Sequence, residues 1–178
     1  MREYYPELVC FSLDGQSDGS WLVLERRMDV GPQGCVLSYA PRVVLLNEPG
    51  LSEPIGTHCP GFVLEIRGGK ARFGRSFSLP AELRGRGLGT YLLTGLIRRA
   101  VGLGFGDVPV HGLHLIKQQN SPLRNAFYQS MGFTLIPYRD GSGWARAPRL
   151  DVLRMHHDSG KVWEVRVGSP LQGGNGFC

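Results

Sequence analysis

The clearest hydrophobic pattern lies on either side of Gly68-Gly69, where apolar and polar side chains alternate. Alternation with a period of two is typical of β-strands with one buried face. A Gly-Gly pair favours the two-residue turn of a twisted hairpin. The pattern therefore predicts a hairpin of Phe62–Arg67 and Lys70–Leu79, in which Glu65 faces Arg72. The predicted core face carries Phe62, Leu64, Ile66, Ala71, Phe73, Phe77 and Leu79.

Four shorter segments before the hairpin predict a β-rich first part of the chain. Clusters of Gly, Asp and Ser separate some of them and favour turns. For residues 21–28 a short helix capped by Ser20 is an alternative. Residues 47–60 hold three prolines and two glycines, which predicts a loop. The predicted strands are Leu8–Leu13, Trp21–Arg27, Cys35–Tyr39 and Arg42–Asn47.

After the hairpin, helical and strand-like patterns alternate. An apolar stripe predicts a helix over residues 90–101, which Gly102 and Gly104 end. A second helix is predicted to begin at Ser121-Pro122, because Ser caps helices and Pro suits their first turn. Gly132 ends that helix. The predicted strands of this part are Val110–Ile116, Phe133–Pro137, Leu150–Met155 and Val162–Val167.

Length and composition fit one soluble domain. The chain has 178 residues, of which 42% are hydrophobic and 20% charged. No apolar run is long enough to span a bilayer, and the first residues lack the apolar core of a signal peptide. The cysteines at 10, 35, 59 and 178 form no Cys-x-x-Cys pair. We therefore expect a cytoplasmic protein that binds neither metal nor membrane.

Basic residues exceed acidic ones, which gives a net charge of +5 and a pI near 9.3. Seventeen of the 20 basic residues are arginines. Genome composition is the simpler explanation of this bias. The functional alternative is a polyanionic partner, either a cofactor with phosphates or nucleic acid.

A glycine-rich turn is the most informative motif of the chain. It follows the strand that ends at Leu79 and opens the first predicted helix. Glycines let a ligand approach the backbone closely, and free N–H groups at a helix start attract anions. The segment predicts a phosphate or pyrophosphate site. Its residues are Arg84, Gly85, Arg86, Gly87, Leu88, Gly89 and Thr90.

Two motifs in this order resemble the GNAT superfamily of N-acetyltransferases. Arg84, Gly87 and Gly89 match its Arg/Gln-x-x-Gly-x-Gly/Ala signature. Tyr128 and Gly132-Phe133 match its later Tyr-x-x-x-Gly-Phe element. The match covers roughly residues 70–137. The resemblance implies an α+β fold of α/β type, with a mixed, splayed β-sheet flanked by helices and acetyl-CoA held in the splay.

The resemblance divides the single expected domain into three parts. Residues 1–72 would form an acceptor-side, β-rich part, 73–137 the acyl-CoA-binding core, and 138–178 the C-terminal strands and tail. The family carries two helices after its first strand, which shape its acceptor site. Residues 1–60 show no convincing helix pair, so strands and a loop are expected there instead.

The resemblance also implies roles for individual residues. The backbone around Leu79 would bond the pantetheine arm, and Arg84 to Thr90 would cradle the pyrophosphate. Asn120 matches an asparagine that contacts the pantetheine, although it lies one residue further from Tyr128 than the usual spacing. Tyr128 matches the tyrosine that donates a proton to the departing thiolate. A packed aromatic residue is the alternative for Tyr128.

The base that deprotonates the amine is left open by the sequence. Residues 70–79 contain no Asp or Glu, so Glu65 is the nearest carboxylate. The simpler role for Glu65 is a cross-strand ion pair with Arg72. His111 and His114, on the next strand, and a water relay are the other candidates.

The expected function is transfer of an acetyl group from acetyl-CoA to a small-molecule or protein amine, by direct attack in a ternary complex. One alternative is a toxin-like acetyltransferase that acts on aminoacyl-tRNA, which the basic pI allows. Another is a non-catalytic acyl-CoA-binding protein of the same fold. A homodimer is compatible with any of the three.

Overall fold

The computed structural model describes residues 2–11, 20–45, 61–74, 79, 83–117 and 121–164. In these ranges the chain is a mixed α+β protein, with two α-helices on a mostly antiparallel sheet. Several predicted features lie outside the described residues: Asn120, Phe77 and the predicted loop of residues 47–60. The last three residues of the predicted strand Val162–Val167, 165–167, lie outside them as well.

The first five strands form an antiparallel meander. They are β1 (Arg2–Phe11), β2 (Ser20–Gly31), β3 (Gly34–Leu45), β4 (Phe62–Arg67) and β5 (Lys70–Phe73). Each pairs with the next along the chain. Between β4 and β5, Gly68 and Gly69 have φ of 54° and 67°, as the predicted hairpin turn requires.

Helices and strands alternate in the second part. Helix α1 (Leu88–Ala100) runs into a π-helical turn (Val101–Phe105) that contains Gly104 at φ 89°. The remaining elements are β6 (Val110–Leu115), α2 (Ser121–Ser130), β7 (Thr134–Pro137), β8 (Gly143–Ala147) and β9 (Val162–Glu164).

One sheet contains all nine described strands, in the order β7-β8-β6-β5-β4-β3-β2-β1-β9. Strands β5 and β6 are its only parallel neighbours among the described pairs. Within the described residues they share a single registered pair, Ala71 with Val110, next to a hydrogen bond from the Ala71 N–H to the Pro109 carbonyl at 2.9 Å. Beyond this pair β6 continues for five residues in contact with β8.

The core lies between the sheet and α1, which packs on β3 and β4. The predicted apolar face of the hairpin is buried at every described position, and the opposite face is partly or fully exposed. The core also contains Cys35, whose thiol pKa is raised by burial. The helix contributes Leu88, Tyr91, Leu92, Leu93, Leu96, Ile97 and Ala100.

The sheet curls over the start of α1. Strand β9 lies four strands from β4, roughly 19 Å in a flat sheet at the usual spacing. Yet a Cβ at Gly87, which precedes α1, would lie 3.3 Å from Lys161 Cβ and 3.4 Å from Val162 Cγ2. Strands β2, β1 and β9 must therefore turn around the helix.

Three predicted elements differ from the structure. The helix alternative for residues 21–28 is wrong, because they lie within β2. The strand Leu150–Met155 is wrong: the segment forms turns in which Leu150 N–H bonds Val108 and Arg154 N–H bonds Met131. Strand β8 was not predicted, since its buried residues are only Gly143, Ala145 and Ala147, which are weak strand formers.

The first part has no helix pair in its described residues. A two-residue turn at Pro32-Gln33 joins β2 directly to β3. The segment predicted as Cys35–Tyr39 and the described residues 42–45 of the segment predicted as Arg42–Asn47 belong to one strand, β3. Pro41 lies inside it, and the register with β2 shifts opposite, between Val23 and Leu24. Neither described helix is long and apolar enough to cross a membrane.

Candidate functional site

The glycine turn lies at the start of α1, where the sequence predicts it. Gly87 is the N-cap residue and is left-handed, at φ 80°. Gly85 is also left-handed, at φ 76°, and a Cβ there would meet nothing within 4 Å. These two positions need glycine for conformational reasons, because other residues rarely adopt a positive φ.

The first turn of α1 offers backbone N–H groups. No side chain caps it, and among its described residues none is acidic. The N–H groups of a first helical turn have no partner within the helix, and the helix dipole places positive charge there. The turn is therefore suited to an anion, as its sequence indicates.

Arg84 holds the turn to the preceding strand segment. Its Nε donates a hydrogen bond to the Leu79 carbonyl at 2.8 Å. Leu79 is buried, whereas Arg84 is exposed. The Leu79 carbonyl, which the resemblance assigns to the pantetheine arm, thus already accepts one bond from the protein.

The two sequence motifs meet in the structure. A Cβ at Gly89 would lie 3.7 Å from both the Phe127 ring and Leu79 Cδ1. Helix α2 therefore approaches the start of α1 through Phe127, the neighbour of Tyr128. The glycine turn and the tyrosine helix belong to one site region.

Tyr128 is buried, with 5% of its surface exposed. Its ring contacts Phe127 and Phe133 edge to face at 5.2 and 5.6 Å, and Phe133 in turn contacts Phe73 of β5. Burial raises the pKa of its hydroxyl to about 12, while nearby Arg124 acts in the opposite direction. The side chain is both a packed aromatic residue and a hydroxyl that stays protonated at neutral pH.

Arg124 fixes α2 against the end of β6. Its guanidinium donates to the carbonyls of Ile116 and of Gly141, the latter at 3.2 Å. Its Nε also contacts Asn125 Oδ1 at 3.1 Å. These bonds join the strand end, the helix and the turn before β8, and they set the position of Tyr128.

Glu65 faces Arg72 in the register that the Gly-Gly turn predicts. The predicted cross-strand ion pair is wrong, however, because the Glu65 carboxylate pairs with Arg67 on its own strand, at 2.9 Å. Residues two apart on a strand lie on one face, so the longer side chain of Arg67 can reach it. The Glu65 side chain is 39% exposed.

The two strand histidines lie on the exposed face of β6. His114 packs against Trp144 with ring centroids 5.0 Å apart, and His111 is exposed. Trp144 also donates from Nε1 to the Tyr138 hydroxyl at 2.9 Å. His114 is thus part of an aromatic surface formed with β8.

Two features near the site were not predicted from the sequence. Gly112 has φ 93° in the middle of β6, and the β6–β8 register shifts between Val110 and Leu113. A bulge of this kind bends a strand, here just after its pairing with β5 ends. The second is Lys161, whose side-chain carbons pack beside Gly87, while its exposed ammonium group lies 3.9 Å from Asp158 Oδ2. For the bulge, the sequence offers one signal, the isolated Gly112 within a strand pattern.

Within the described ranges, no group of three or more His, Cys, Asp or Glu side chains is placed to hold a metal ion. Comparisons with known protein families, with curated proteins and with solved structures found no match to this chain.

Proposed function

We propose that this protein is an acetyl-CoA-dependent N-acyltransferase of GNAT type. The observation that carries the proposal is the glycine turn, with left-handed Gly85 and Gly87, at the start of α1. The turn follows β5 along the chain and lies close to Phe127 of α2, the helix that carries Tyr128. An anion site there would take the pyrophosphate of the acyl donor.

The sheet supports this assignment. The resemblance implies a splay between two central strands, and β5 and β6 are neighbours with one registered pair. The crossover between these parallel strands contains α1, as expected for a strand–helix–strand unit. The bulge at Gly112 directs β6 away from regular pairing at the same level.

The residues of the turn fit a pyrophosphate. The first turn of α1 supplies N–H groups and positive dipole, and Lys161 adds a cation beside Gly87. Arg84 would position the turn through its bond to Leu79 and would present its remaining N–H groups to the ligand. A side chain at Gly87 would strain the backbone at its positive φ and would crowd Lys161 and Val162, which pack beside it.

In the reaction, the free amine attacks the thioester carbonyl, the C–S bond breaks, and the thiolate leaves. Tyr128 would stabilise that thiolate by donating a hydrogen bond. A hydroxyl with a pKa of about 12 is a weaker acid than a thiol, whose pKa is about 8.5. We therefore assign Tyr128 a hydrogen bond to sulfur, with the final proton coming from solvent.

The amine loses its proton to water in this proposal. Glu65 is engaged with Arg67, and His114 with Trp144, so neither is held ready for an incoming ammonium group. An accessible amine can release its proton to solvent without a dedicated base. The acceptor is a small-molecule or protein amine.

Titration calorimetry with CoA and with pantetheine tests the anion site. Pantetheine lacks the pyrophosphate, so Gly87→Ala should weaken CoA binding by about tenfold or more and leave pantetheine binding nearly unchanged. Gly104→Ala is the matched control, because Gly104 is also left-handed, at φ 89°, lies outside the glycine turn, and has nothing within 4 Å of a Cβ. Equal loss of both ligands in Gly87→Ala would contradict the pyrophosphate assignment.

A thiol-release assay with acetyl-CoA and a panel of amines tests the activity. Amine-dependent release is expected. The second candidate is an acyl-CoA-binding protein without catalysis, which the close aromatic packing of Tyr128 favours. CoA binding without thiol release for any amine would select that candidate.

A further inference from the structure

One end of the sheet, formed by β7, β8, β6 and β5, has an outer face on the side away from the core. Side chains alternate along a strand, so every second residue lies on this face. His114, Trp144 and Ile136 form one row of it across β6, β8 and β7. His114 is exposed, Trp144 half-buried and Ile136 40% exposed. Tyr138, directly after β7, is 51% exposed. The outer face therefore presents aromatic and apolar surface to solvent.

Trp144 lies at the centre of this outer face. The His114 ring is 5.0 Å from its ring, and its Nε1 donates a hydrogen bond to the Tyr138 hydroxyl at 2.9 Å. The guanidinium carbon of Arg146 lies 6.0 Å from the ring centroid. A Cβ at Gly112 would lie 3.2 Å from Trp144 Cε3, so the ring packs beside bare backbone of β6. These contacts hold the indole in one orientation at the surface.

The strands of the outer face carry positive charge and no acidic side chain. None of β5, β6, β7 and β8 contains Asp or Glu. Arg72 of β5 and Arg146 of β8 are exposed, and within the described residues neither pairs with a carboxylate. On the next strand, the Glu65 carboxylate pairs with Arg67 at 2.9 Å. In the turn after β7, Asp140 accepts hydrogen bonds within its own turn. The two arginines can therefore receive an anion.

The arginines and the rings lie side by side. Ala71 pairs with Val110, and Val110 with Ala147, so Arg72 and Arg146 are two strands apart. At the usual strand spacing this is roughly 10 Å between backbones. Arg146 is also two residues from Trp144 on β8, which places both on the same face. A ligand that spans the outer face would meet cations along one side and rings along the other.

We propose that the outer face binds single-stranded RNA, with bases stacked on Trp144 and His114 and phosphates against Arg146 and Arg72. Unpaired bases stack on aromatic side chains, and RNA exposes such bases in loops and at its ends. Arginine is well suited to phosphate groups. A second copy of the chain fits less well, because a two-fold contact centred on Trp144 would bring like-charged arginines together. The proposal does not depend on the acyltransferase activity.

Fluorescence anisotropy with labelled octauridylate tests the stacking. Saturable binding is expected for the wild type. Trp144→Leu should weaken it by about 5- to 150-fold, the range for one lost base–aromatic stack. Trp163→Leu is the matched control, because Trp163 is also half-buried on a strand but lies on β9 at the opposite edge of the sheet. This variant should bind like the wild type.

A double variant, Arg72→Gln/Arg146→Gln, tests the phosphate contacts with the rings in place. It should weaken binding and lower the slope of log Kd against log salt by about 0.7 for each lost contact. Arg98→Gln/Arg154→Gln removes the same charge from exposed residues on the helix side of the sheet. The slope should stay nearly unchanged in that control.

Several results would overturn the proposal. One is no saturable binding of octauridylate, and another is equal affinity in the wild type, Trp144→Leu and Arg72→Gln/Arg146→Gln. Equally tight binding of an abasic oligomer of the same length, or tighter binding of an RNA duplex, would exclude stacking. Equal competition by polyglutamate would assign the outer face to an acidic protein, and self-association that Trp144→Leu abolishes would assign it to a second copy. Failure to bind acetyl-CoA would affect only the proposed acyltransferase.

Discussion

Tyr128 shows how one residue can serve both the core and the chemistry. Its ring packs edge to face on two phenylalanines, and its hydroxyl stays protonated because burial raises the pKa to about 12. In Tyr128→Phe the packing is kept and the hydrogen bond to the leaving sulfur is lost. We expect turnover to fall by roughly 10- to 1000-fold, with little change in CoA affinity, in steady-state kinetics and calorimetry. Wild-type turnover in a stable variant would exclude this role.

The raised pKa of Tyr128 also predicts how the free energy of unfolding changes at alkaline pH. Because the folded pKa lies above the ordinary value of 10.0, the folded state holds the proton more tightly. The resulting stabilisation is complete below pH 10 and is lost as the pH rises towards 12. Two pKa units correspond to about 2.7 kcal/mol, an upper limit for the loss. Urea unfolding from pH 9 upwards should show a smaller decline in Tyr128→Phe than in the wild type, and Tyr138→Phe, at an exposed site, serves as the control.

For single residues, the sequence predicts which backbone positions face each other better than it predicts which side chains form ion pairs. The prediction that Glu65 faces Arg72 is confirmed. It could be made because the two-residue turn fixes the register of the hairpin backbone. The ion partner of Glu65 depends on side-chain conformation, and the structure gives Arg67 instead. Arg26 of β2 and Arg98 and Arg99 of α1 line one cleft, and only the folded chain brings them together.

Helix α1 has a glycine in its middle for a packing reason. Alanine is normally favoured over glycine in a helix by about 1 kcal/mol. At Gly95, however, a Cβ would lie 2.8 Å from the buried Tyr39 ring. We expect Gly95→Ala to destabilise the protein by about 1–3 kcal/mol in thermal or urea unfolding. Gly102→Ala, with open space around its Cβ, should be neutral or slightly stabilising, and the same result at Gly95 would contradict this account.

Tyr91 connects three elements through its hydroxyl. It accepts from Arg26 of β2 at 3.0 Å and donates to Glu164 of β9 at 3.1 Å. Tyr91→Phe should therefore cost about 0.5–1.5 kcal/mol of the free energy of unfolding, measured in urea, since two partly exposed charged groups each lose one hydrogen bond. As a control, Tyr138→Phe removes the hydroxyl that accepts one exposed hydrogen bond from Trp144. This variant should lower the free energy of unfolding much less.

Elements with strong periodicity were the predictable ones. Strand β4, α1, β6, α2 and β7 agree with the prediction within a few residues. Strand β5 begins at Lys70 as predicted but ends at Phe73, whereas the prediction extends it to Leu79. Strand β8 has only small residues on its buried face, and Leu150 and Leu153 are buried in a turn although their segment was predicted as a strand. In both places tertiary contacts, rather than local pattern, decide the structure.

In the described residues, the sheet has two parts: the antiparallel meander with β9 at its edge, and a smaller three-stranded part. One registered pair, Ala71 with Val110, joins them. A ligand held between β5 and β6 would contact both parts and slow local opening there. Hydrogen exchange with acetyl-CoA should therefore protect residues 111–115 and 84–90. The β1–β2 pairing should be unaffected, and uniform protection, or none, would place the ligand elsewhere.

The order of strands was only partly accessible from the sequence. Neighbours along the chain pair as expected in the meander, because hairpins are local. The return of β9 to the far edge beside β1 has no local signal. The curl of the sheet that brings Lys161 against Gly87 has no local signal in the sequence either.

That return also has a consequence for how the protein is made. Val9 pairs with Glu164, so the pairing partners are separated by 155 residues. During synthesis β1 leaves the ribosome early, and its outer edge stays without β9 until almost all the described chain has followed. Contacts of such long range form late and slow folding. Nascent chains that end before β9 would expose an unpaired strand edge, and they would be the natural substrates of a chaperone.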